Sequence, residues 1–239
     1  MSLLEINNLT VKYGQMTALR DLSLKLNRGD TVFITGPNGA GKSSLLSAIA
    51  GLTPAFSGNI HFDKVDVTSS TPEHIARMGF SMVPEGRHVF ASLTIEENLK
   101  VGASLTNKGQ ENNFNLACVY KEFPILGERR HTLAGLLSGG QQQMLVIGRA
   151  LMTNARLIAI DEPSLGLAPK VTDQVYEILL RLRDQLGLTL LIVEQNSTRA
   201  ELVGGRMILL RGGEIKLQGD ARELGESDAL NKAYFGYGD

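Results

Sequence analysis

The hydrophobic positions of this chain switch repeatedly between the alternation of strands and the three-to-four spacing of helices. Leu22, Leu24 and Leu26 alternate with Asp21, Ser23, Lys25 and Asn27, the period-2 pattern of a half-buried strand. The next run, Thr31-Val32-Phe33-Ile34-Thr35, is apolar and β-branched without alternation, which predicts a strand buried on both faces. It stops at Gly36, and Leu45, Leu46 and Ile49 then follow at helical spacing. Leu157-Ile158-Ala159-Ile160 and Leu188-Thr189-Leu190-Leu191-Ile192-Val193 predict two more buried strands, separated by a helix through Val175, Ile178, Leu179 and Leu182. Strand, helix, strand at this spacing calls for a parallel sheet with right-handed crossovers. Near the end, residues 207–210 and 215–217 flank Arg211-Gly212-Gly213-Glu214 and predict a hairpin.

Residues 96–134 interrupt the α/β alternation. Asn98, Leu99 and Val101 are followed by a polar stretch at 106–113, then by Phe114, Leu116, Val119, Tyr120 and Phe123. This predicts a helical lobe with an exposed loop. No internal repeat is present.

Composition changes this picture little. A chain of 239 residues is long enough for one large domain, or a domain with an inserted lobe, around a sizeable core. A 43% hydrophobic and 21% charged composition is that of an ordinary soluble protein. The net charge of −1 excludes a generally basic nucleic-acid binder. Cys118 stands alone, which excludes an internal disulfide or a cysteine metal cluster, and it is expected as a small buried apolar group. His61, His74, His88 and His131 are scattered without metal-ligand spacing. Met78 and Met82 are expected to pack around a strand, and Arg129-Arg130-His131 to form a solvated face. Apolar runs fall far short of the ~18–20 residues of a membrane span, and the start lacks the basic and apolar regions of a secretory signal. A soluble, intracellular protein is expected.

Chemistry enters at Gly36-Pro37-Asn38-Gly39-Ala40-Gly41-Lys42-Ser43, followed by Ser44, between the buried strand and a helix. Glycines let backbone N–H groups curl around phosphate oxygens, and the helix N-terminus adds its positive end. In such a loop Lys42 reaches the β- and γ-phosphates and Ser43 supplies an oxygen to Mg²⁺. A second signal is Asp161-Glu162-Pro163 at the carboxyl end of the strand Leu157-Ile158-Ala159-Ile160, where open α/β sheets bind ligands. Asp161 would hold Mg²⁺ through a water, and Glu162 would orient or deprotonate the attacking water. Without a phosphate loop, the same three residues would read as a helix cap and start.

The third signal is Leu137-Ser138-Gly139-Gly140-Gln141 ahead of a helix at 142–151, shortly before the carboxylate strand. In isolation this is an N-cap serine with a glycine turn. In this order and spacing it resembles the signature of the ATP-binding-cassette (ABC) ATPases, and the resemblance extends over nearly the whole chain. It implies an α/β P-loop NTPase core with an antiparallel β subdomain and an inserted α-helical subdomain. The 239 residues would form one ABC ATPase domain: 1–85 the β subdomain and phosphate-loop half of the core, 86–150 the helical subdomain with the signature, 151–239 the carboxylate-strand half and C-terminal segment. Residues 137–141 would face the γ-phosphate held by a second subunit. In Val11-Lys12-Tyr13-Gly14, Tyr13 matches the aromatic residue that stacks on adenine, the alternative being a buried strand tyrosine.

Three positions depart from the commonest family pattern. Val83-Pro84-Glu85-Gly86-Arg87 carries Glu85 where Gln is usual, and Glu85 would then be a metal-side residue together with Ser43 and Asp161. Gly166-Leu167-Ala168-Pro169 lacks the usual Asp, and Val193-Glu194-Gln195-Asn196 places Gln195 where a His usually touches the γ-phosphate. The alternative for Gln195 is a strand cap, with a helix starting at Asn196. Together with the tail Ala233-Tyr234-Phe235-Gly236, these variants resemble the smaller ATPase of branched-chain amino acid uptake systems. Urea-uptake ATPases share much of the pattern, so an importer ATPase for urea or another small solute is one alternative and a non-transport ABC ATPase the other. The resemblance implies ATP and Mg²⁺ as ligands, Glu162, Gln195 and Lys42 as catalytic residues, and a second ABC ATPase subunit as partner. It also implies membrane permease subunits as partners, an indirect link to a solute-binding protein, no nucleic acid, and a peripheral place on the cytoplasmic face of the inner membrane. A groove for a short permease helix is expected at the helical lobe and the loop Glu85-Gly86-Arg87-His88.

Overall fold

Strands and helices alternate along the chain in the computed structural model, which describes residues 2–104 and 114–235. In order these are β1 (Ser2–Tyr13), β2 (Met16–Asn27), β3 (Thr31–Thr35), α1 (Lys42–Ile49), β4 (Ser57–Phe62), β5 (Val65–Asp66) and α2 (Pro72–Arg77). Next come β6 (Phe80–Val83), α3 (Ile95–Ala103), α4 (Leu116–Glu122), α5 (Pro124–Glu128), α6 (Gly139–Leu151), β7 (Leu157–Asp161) and α7 (Pro169–Leu186). The last are β8 (Thr189–Val193), α8 (Thr198–Val203), β9 (Arg206–Arg211), β10 (Glu214–Asp220), α9 (Ala221–Gly225) and α10 (Asp228–Phe235). The polar stretch at 106–113 and Gly236 lie outside the described residues. The chain divides into two compact units, one formed by Met1–Ile75 with Thr189–Asp239, the other by Ala76–Leu188.

The first unit contains an antiparallel sheet in the order β2-β1-β4-β5. Its β1–β2 pair carries several register shifts, and Asn8 at one of them takes φ 52°, with its side chain donating to Asp21 Oδ1 at 2.7 Å. Each bulge flips the pleat, so apolar residues on β1 do not alternate cleanly. The same unit holds β3 paired in parallel with both β8 and β9, and β9 antiparallel to β10. β3 and β8 are buried along their full length, as their unbroken apolar runs predict. Burying each Val, Ile or Phe contributes about 1.5–3 kcal/mol, enough to fix these strands in place. The β9–β10 hairpin turns at Gly212 (φ 60°) and Gly213 (φ 82°), the two positive angles a tight two-residue turn demands. Gly213 N donates to Ala40 O at 3.1 Å, so the hairpin braces the loop ahead of α1.

The second unit pairs β6 and β7 in parallel and adds the expected helical lobe, where α3 packs on α6. Asn98 on α3 is fully buried and entirely satisfied. Its Oδ1 accepts from Phe90 N at 2.9 Å, and its Nδ2 donates to Phe90 O at 3.0 Å, Leu93 O at 3.3 Å and Thr94 O at 2.9 Å. A buried side-chain amide with every group bonded fixes the shape of the loop entering α3. Two expectations are corrected here. Cys118 is only half-buried, because α4 presents Val119 to the core instead. Arg129 is not part of a solvated face but donates to Gln141 Oε1 at 3.1 Å.

Candidate functional site

The loop between β3 and α1 is shaped by glycines that no other residue can replace. Gly36 has φ 147°, and a Cβ there would lie 2.1 Å from Leu210 O. Gly41, the cap of α1, has φ 102°, and a Cβ would lie 2.6 Å from Ala18 O. No side chain caps α1, and the first N–H groups of any helix have no acceptor within the helix itself. Lys42 is buried, and its Nζ curls back onto Gly36 O at 2.7 Å and Pro37 O at 3.3 Å. Ser43 is exposed, Ser44 half-buried, and Pro37, Asn38 and Gly39 form the rim, with Ala40 buried beneath. A ring of backbone donors, a helix N-terminus and a cation enclosed by one loop is a site for a polyphosphate. The residues present therefore fit the phosphates of ATP. Gly36→Ala is expected to destabilise the chain by about 1–3 kcal/mol and to weaken ATP binding, because backbone must move to admit the methyl. Urea unfolding and nucleotide titration check this, and an unchanged midpoint with unchanged affinity would refute it.

Tyr13 ends β1 and is 44% exposed, which excludes the buried strand tyrosine. Its hydroxyl lies 3.3 Å from Thr53 Oγ1, a partner that no motif singles out. At the end of β8, Gln195 is exposed and its Nε2 donates to Asn38 Oδ1 at 3.3 Å, within the same unit. The next helix is capped by Ser197 rather than starting at Asn196. The structure thus brings the Gln195 amide to the phosphate loop, and Asn38 is its first partner.

In the second unit, Asp161 is the buried last residue of β7 and Glu162 follows it with φ 50°. A non-glycine residue in the left-handed region costs of the order of 1 kcal/mol and is concentrated at functional sites. Glu162 and Pro163 do not start a helix; α7 begins only at Pro169. Glu85 is exposed beyond β6. Among the described residues no group of three or more His, Cys, Asp or Glu could hold a metal ion alone. Sparse protein carboxylates suit Mg²⁺, which takes one or two of them together with waters and substrate phosphates.

The signature residues form a capped helix start. Ser138 caps α6 in a capping box: Gln141 N donates to Ser138 Oγ at 3.4 Å, and Ser138 N donates to Gln141 Oε1 at 3.1 Å. Leu137 is buried behind it. A Cβ on Gly139 would meet the Arg87 guanidinium at 2.8 Å, and one on Gly140 would meet Val171 Cγ1 at 2.6 Å. Arg87 donates weakly to Leu165 O at 3.5 Å and Gly166 O at 3.4 Å. Gly86, Arg87 and His88 all have positive φ, so this turn is wound tightly enough to lay Arg87 against the signature.

A cleft of about 250 Å³ in this unit is lined by Met82, Phe90, Val101, Val146, Arg149 and Thr153 among others. Arg149 lies over the Phe90 ring at 4.9 Å, donates to His88 O at 2.9 Å, and burial lowers its pKa. None of the loop residues Glu85, Gly86, Arg87 and His88, expected at a groove, lines this cleft. Arg87 serves the signature, and His88 contributes its carbonyl to Arg149. Phe90 and Arg149 line it, and the sequence held no signal for either.

A family profile described as ABC transporter matches residues 19–165. The chain is 39% identical, over 98% of its length and all of the relative, to the high-affinity branched-chain amino acid transport ATP-binding protein BraG of Pseudomonas aeruginosa. It is 36% identical to the probable branched-chain amino acid transport ATP-binding protein LivF of Archaeoglobus fulgidus, over 95% of this chain and 96% of that one. Among solved structures, the ADP conformation of an ATP-binding cassette of an ABC transporter matches with TM-score 0.85 and 28% identity, over 99% of each chain. A dimeric cassette in a post-hydrolysis state with ADP and phosphate matches with TM-score 0.80 and 26% identity, over 92% of this chain and 99% of that one. A phosphate loop, a carboxylate strand and a capped signature helix, matched across this much sequence and fold, leave one assignment: the chain belongs to the ABC transporter family, as one of its ATPases.

Proposed function

We propose that this chain is the ATP-binding subunit of an importer of branched-chain amino acids. It would work as a dimer, with another copy or a related ATPase, held peripherally at the cytoplasmic face of the inner membrane by permease subunits. A solute-binding protein would act on it only through those subunits. The observation that carries this reading is the full-length similarity to the Pseudomonas aeruginosa protein of that function. Glu85, Ala168 and Gln195, the three departures from the commonest pattern, support it. Among the described residues, no helix is long and apolar enough to cross a membrane.

Within each composite site, Tyr13 stacks on adenine with its exposed ring. The N–H groups of residues 36–44 and the Lys42 ammonium hold the β- and γ-phosphates, Lys42 exchanging its carbonyl partners for phosphate oxygens. Ser43, Asp161 and Glu85 would hold Mg²⁺, which would supply positive charge to offset that of the phosphates. Glu162 takes a proton from the attacking water as that oxygen bonds to the γ-phosphorus and the bond to the β–γ bridging oxygen breaks. Gln195 donates its amide N–H to a γ-oxygen. Residues 137–141 of the second subunit close over the same phosphate with the positive end of α6.

The cleft beside Phe90 and Val101 would receive the short permease helix. Both side chains are partly exposed, 47% and 39%, which leaves apolar surface for a partner. The test is affinity isolation of the full-length chain from native membranes, with the co-isolated proteins identified and leucine and urea uptake measured. A hydrophobic permease and ATP-dependent leucine uptake are expected. Urea uptake with no leucine uptake would replace the solute, and no membrane partner at all would overturn the transport reading. Phe90→Asp should cut uptake about tenfold or more and leave ATP affinity unchanged, because burying a carboxylate in an apolar contact is costly. Wild-type uptake in that variant would move the contact elsewhere.

A further inference from the structure

The C-terminal helix α10 packs on β9 and β10 and ends beside Gln195, just past β8. There, Tyr234 Oη donates to the backbone carbonyl of Gln195 at 3.1 Å. Gln195 Nε2 in turn donates to Asn38 Oδ1 at 3.3 Å. Tyr234 is half-buried, whereas Gln195 and Asn38 are exposed. A line of hydrogen bonds therefore runs from the last helix, through both the main chain and the side chain of Gln195, to the rim of the phosphate loop.

Gln195 lies just past the end of a strand. The parallel ladder continues past β8 as far as Glu194, whose N–H donates to Ile34 O at 3.0 Å. Beyond Gln195, Thr198 N is already bonded to Asn196 Oδ1 at 3.2 Å and Glu201 N to Ser197 O at 2.9 Å. The Gln195 peptide sits between the end of the strand and the start of α8. Its orientation sets the direction in which the long, entropically costly glutamine side chain leaves the backbone.

We infer that Tyr234 is a positioning residue for Gln195: its hydroxyl fixes the peptide from which the Gln195 amide reaches the nucleotide phosphate, so the C-terminal helix sets the rate of hydrolysis. This rests on the proposed contact of Gln195 with the γ-phosphate. Tyr234→Phe removes the hydroxyl and keeps the ring. In the full-length chain it should lower kcat for ATP about 3–10-fold, the range expected for one lost hydrogen bond. KM and the thermal midpoint should stay near wild type, which marks an interaction used in the transition state rather than for folding or ground-state binding. Gln195→Ala should also lower kcat, and adding Tyr234→Phe to it should cost nothing more, since both changes break one path.

The outcomes separate the two readings. If Gln195→Ala is impaired and Tyr234→Phe is not, the role of Tyr234 is wrong and that of Gln195 stands. If the Tyr234→Phe loss appears in full on top of Gln195→Ala, or falls on KM alone, Tyr234 acts by another route and the inference is overturned. If Gln195→Ala turns over like wild type, the γ-phosphate contact fails and the positioning role with it.

Discussion

Glu162→Gln is expected to bind ATP with Mg²⁺ normally, to hydrolyse it at least about 10²-fold more slowly, and to accumulate as an ATP-bound dimer. The substitution keeps the length and the hydrogen-bonding atoms of the side chain but removes its capacity to accept a proton. It also leaves the backbone cost untouched, because Glu162 already sits at φ 50° and Gln at that angle is no better or worse placed. A hundredfold slower turnover corresponds to about 2.7 kcal/mol of transition-state stabilisation, within the range assigned to a well-placed general base. Single-turnover hydrolysis and size-exclusion chromatography in ATP read the two effects separately. Turnover at the wild-type rate would place the base elsewhere. Glu85 would be the next residue to test, since it is an exposed carboxylate among the proposed metal-side residues.

Most of the first unit's parallel strands were legible because their signal needs no register. A run such as Thr31-Val32-Phe33-Ile34-Thr35 is buried whichever way the pleat faces, so periodicity is not required to recognise it. The closing hairpin was legible because two glycines in succession admit the two positive angles of its turn. β1 carried no comparable signal. Its bulges at Asn8 and beyond break the alternation of apolar residues, so the antiparallel sheet was implied only by the family resemblance. β2 was visible only from Asp21, although it begins at Met16, because the register shifts displace its first half. Cys118 was misplaced for a simpler reason: a short helix such as α4 buries one narrow stripe, and Val119 occupies it.

The candidate site shows the same division between local and distant causes. Glycine, lysine and serine at fixed spacing were legible as a phosphate loop because glycine alone admits the angles and close approaches of the backbone there, while lysine and serine bring the charge and the oxygen a phosphate site needs. The signature glycines were legible from their order and spacing among the other motifs, and the structure adds a packing reason for both of them. Gly139 leaves room for Arg87, a residue far earlier in the chain whose guanidinium no spacing rule connects to it. Arg149 over Phe90, Tyr13 beside Thr53, and Tyr234 on Gln195 belong to this class as well. Each is a contact between segments far apart in sequence, made by residue types common on any surface. Only the fold could report them.

Ser138→Arg is expected to abolish hydrolysis while ATP affinity stays within about twofold, because in the proposed site the phosphates would be held by one subunit and only completed by Ser138 of the other. A cation at the start of α6 faces the positive end of that helix and fills the space meant for a phosphate oxygen. A loss of folding stability has to be separated from this. Ser138 also caps its own helix, and losing that cap costs about 1 kcal/mol, which alone would lower yield and activity. Ser138→Asp resolves the two, since aspartate is an equally good cap but repels a phosphate at the same position. Both variants should therefore lose hydrolysis by about 10²-fold or more, the scale on which removal of a preorganised transition-state donor is felt. Only the arginine variant should show a lowered thermal midpoint. Mixing Ser138→Asp chains with Glu162→Gln chains should restore part of the activity. In such a pair one composite site carries both defects, while the other joins an intact Glu162 from the first chain to an intact Ser138 from the second. Loss of ATP binding in parallel with hydrolysis, or full activity in Ser138→Asp alone, would show that α6 does not complete a partner's site.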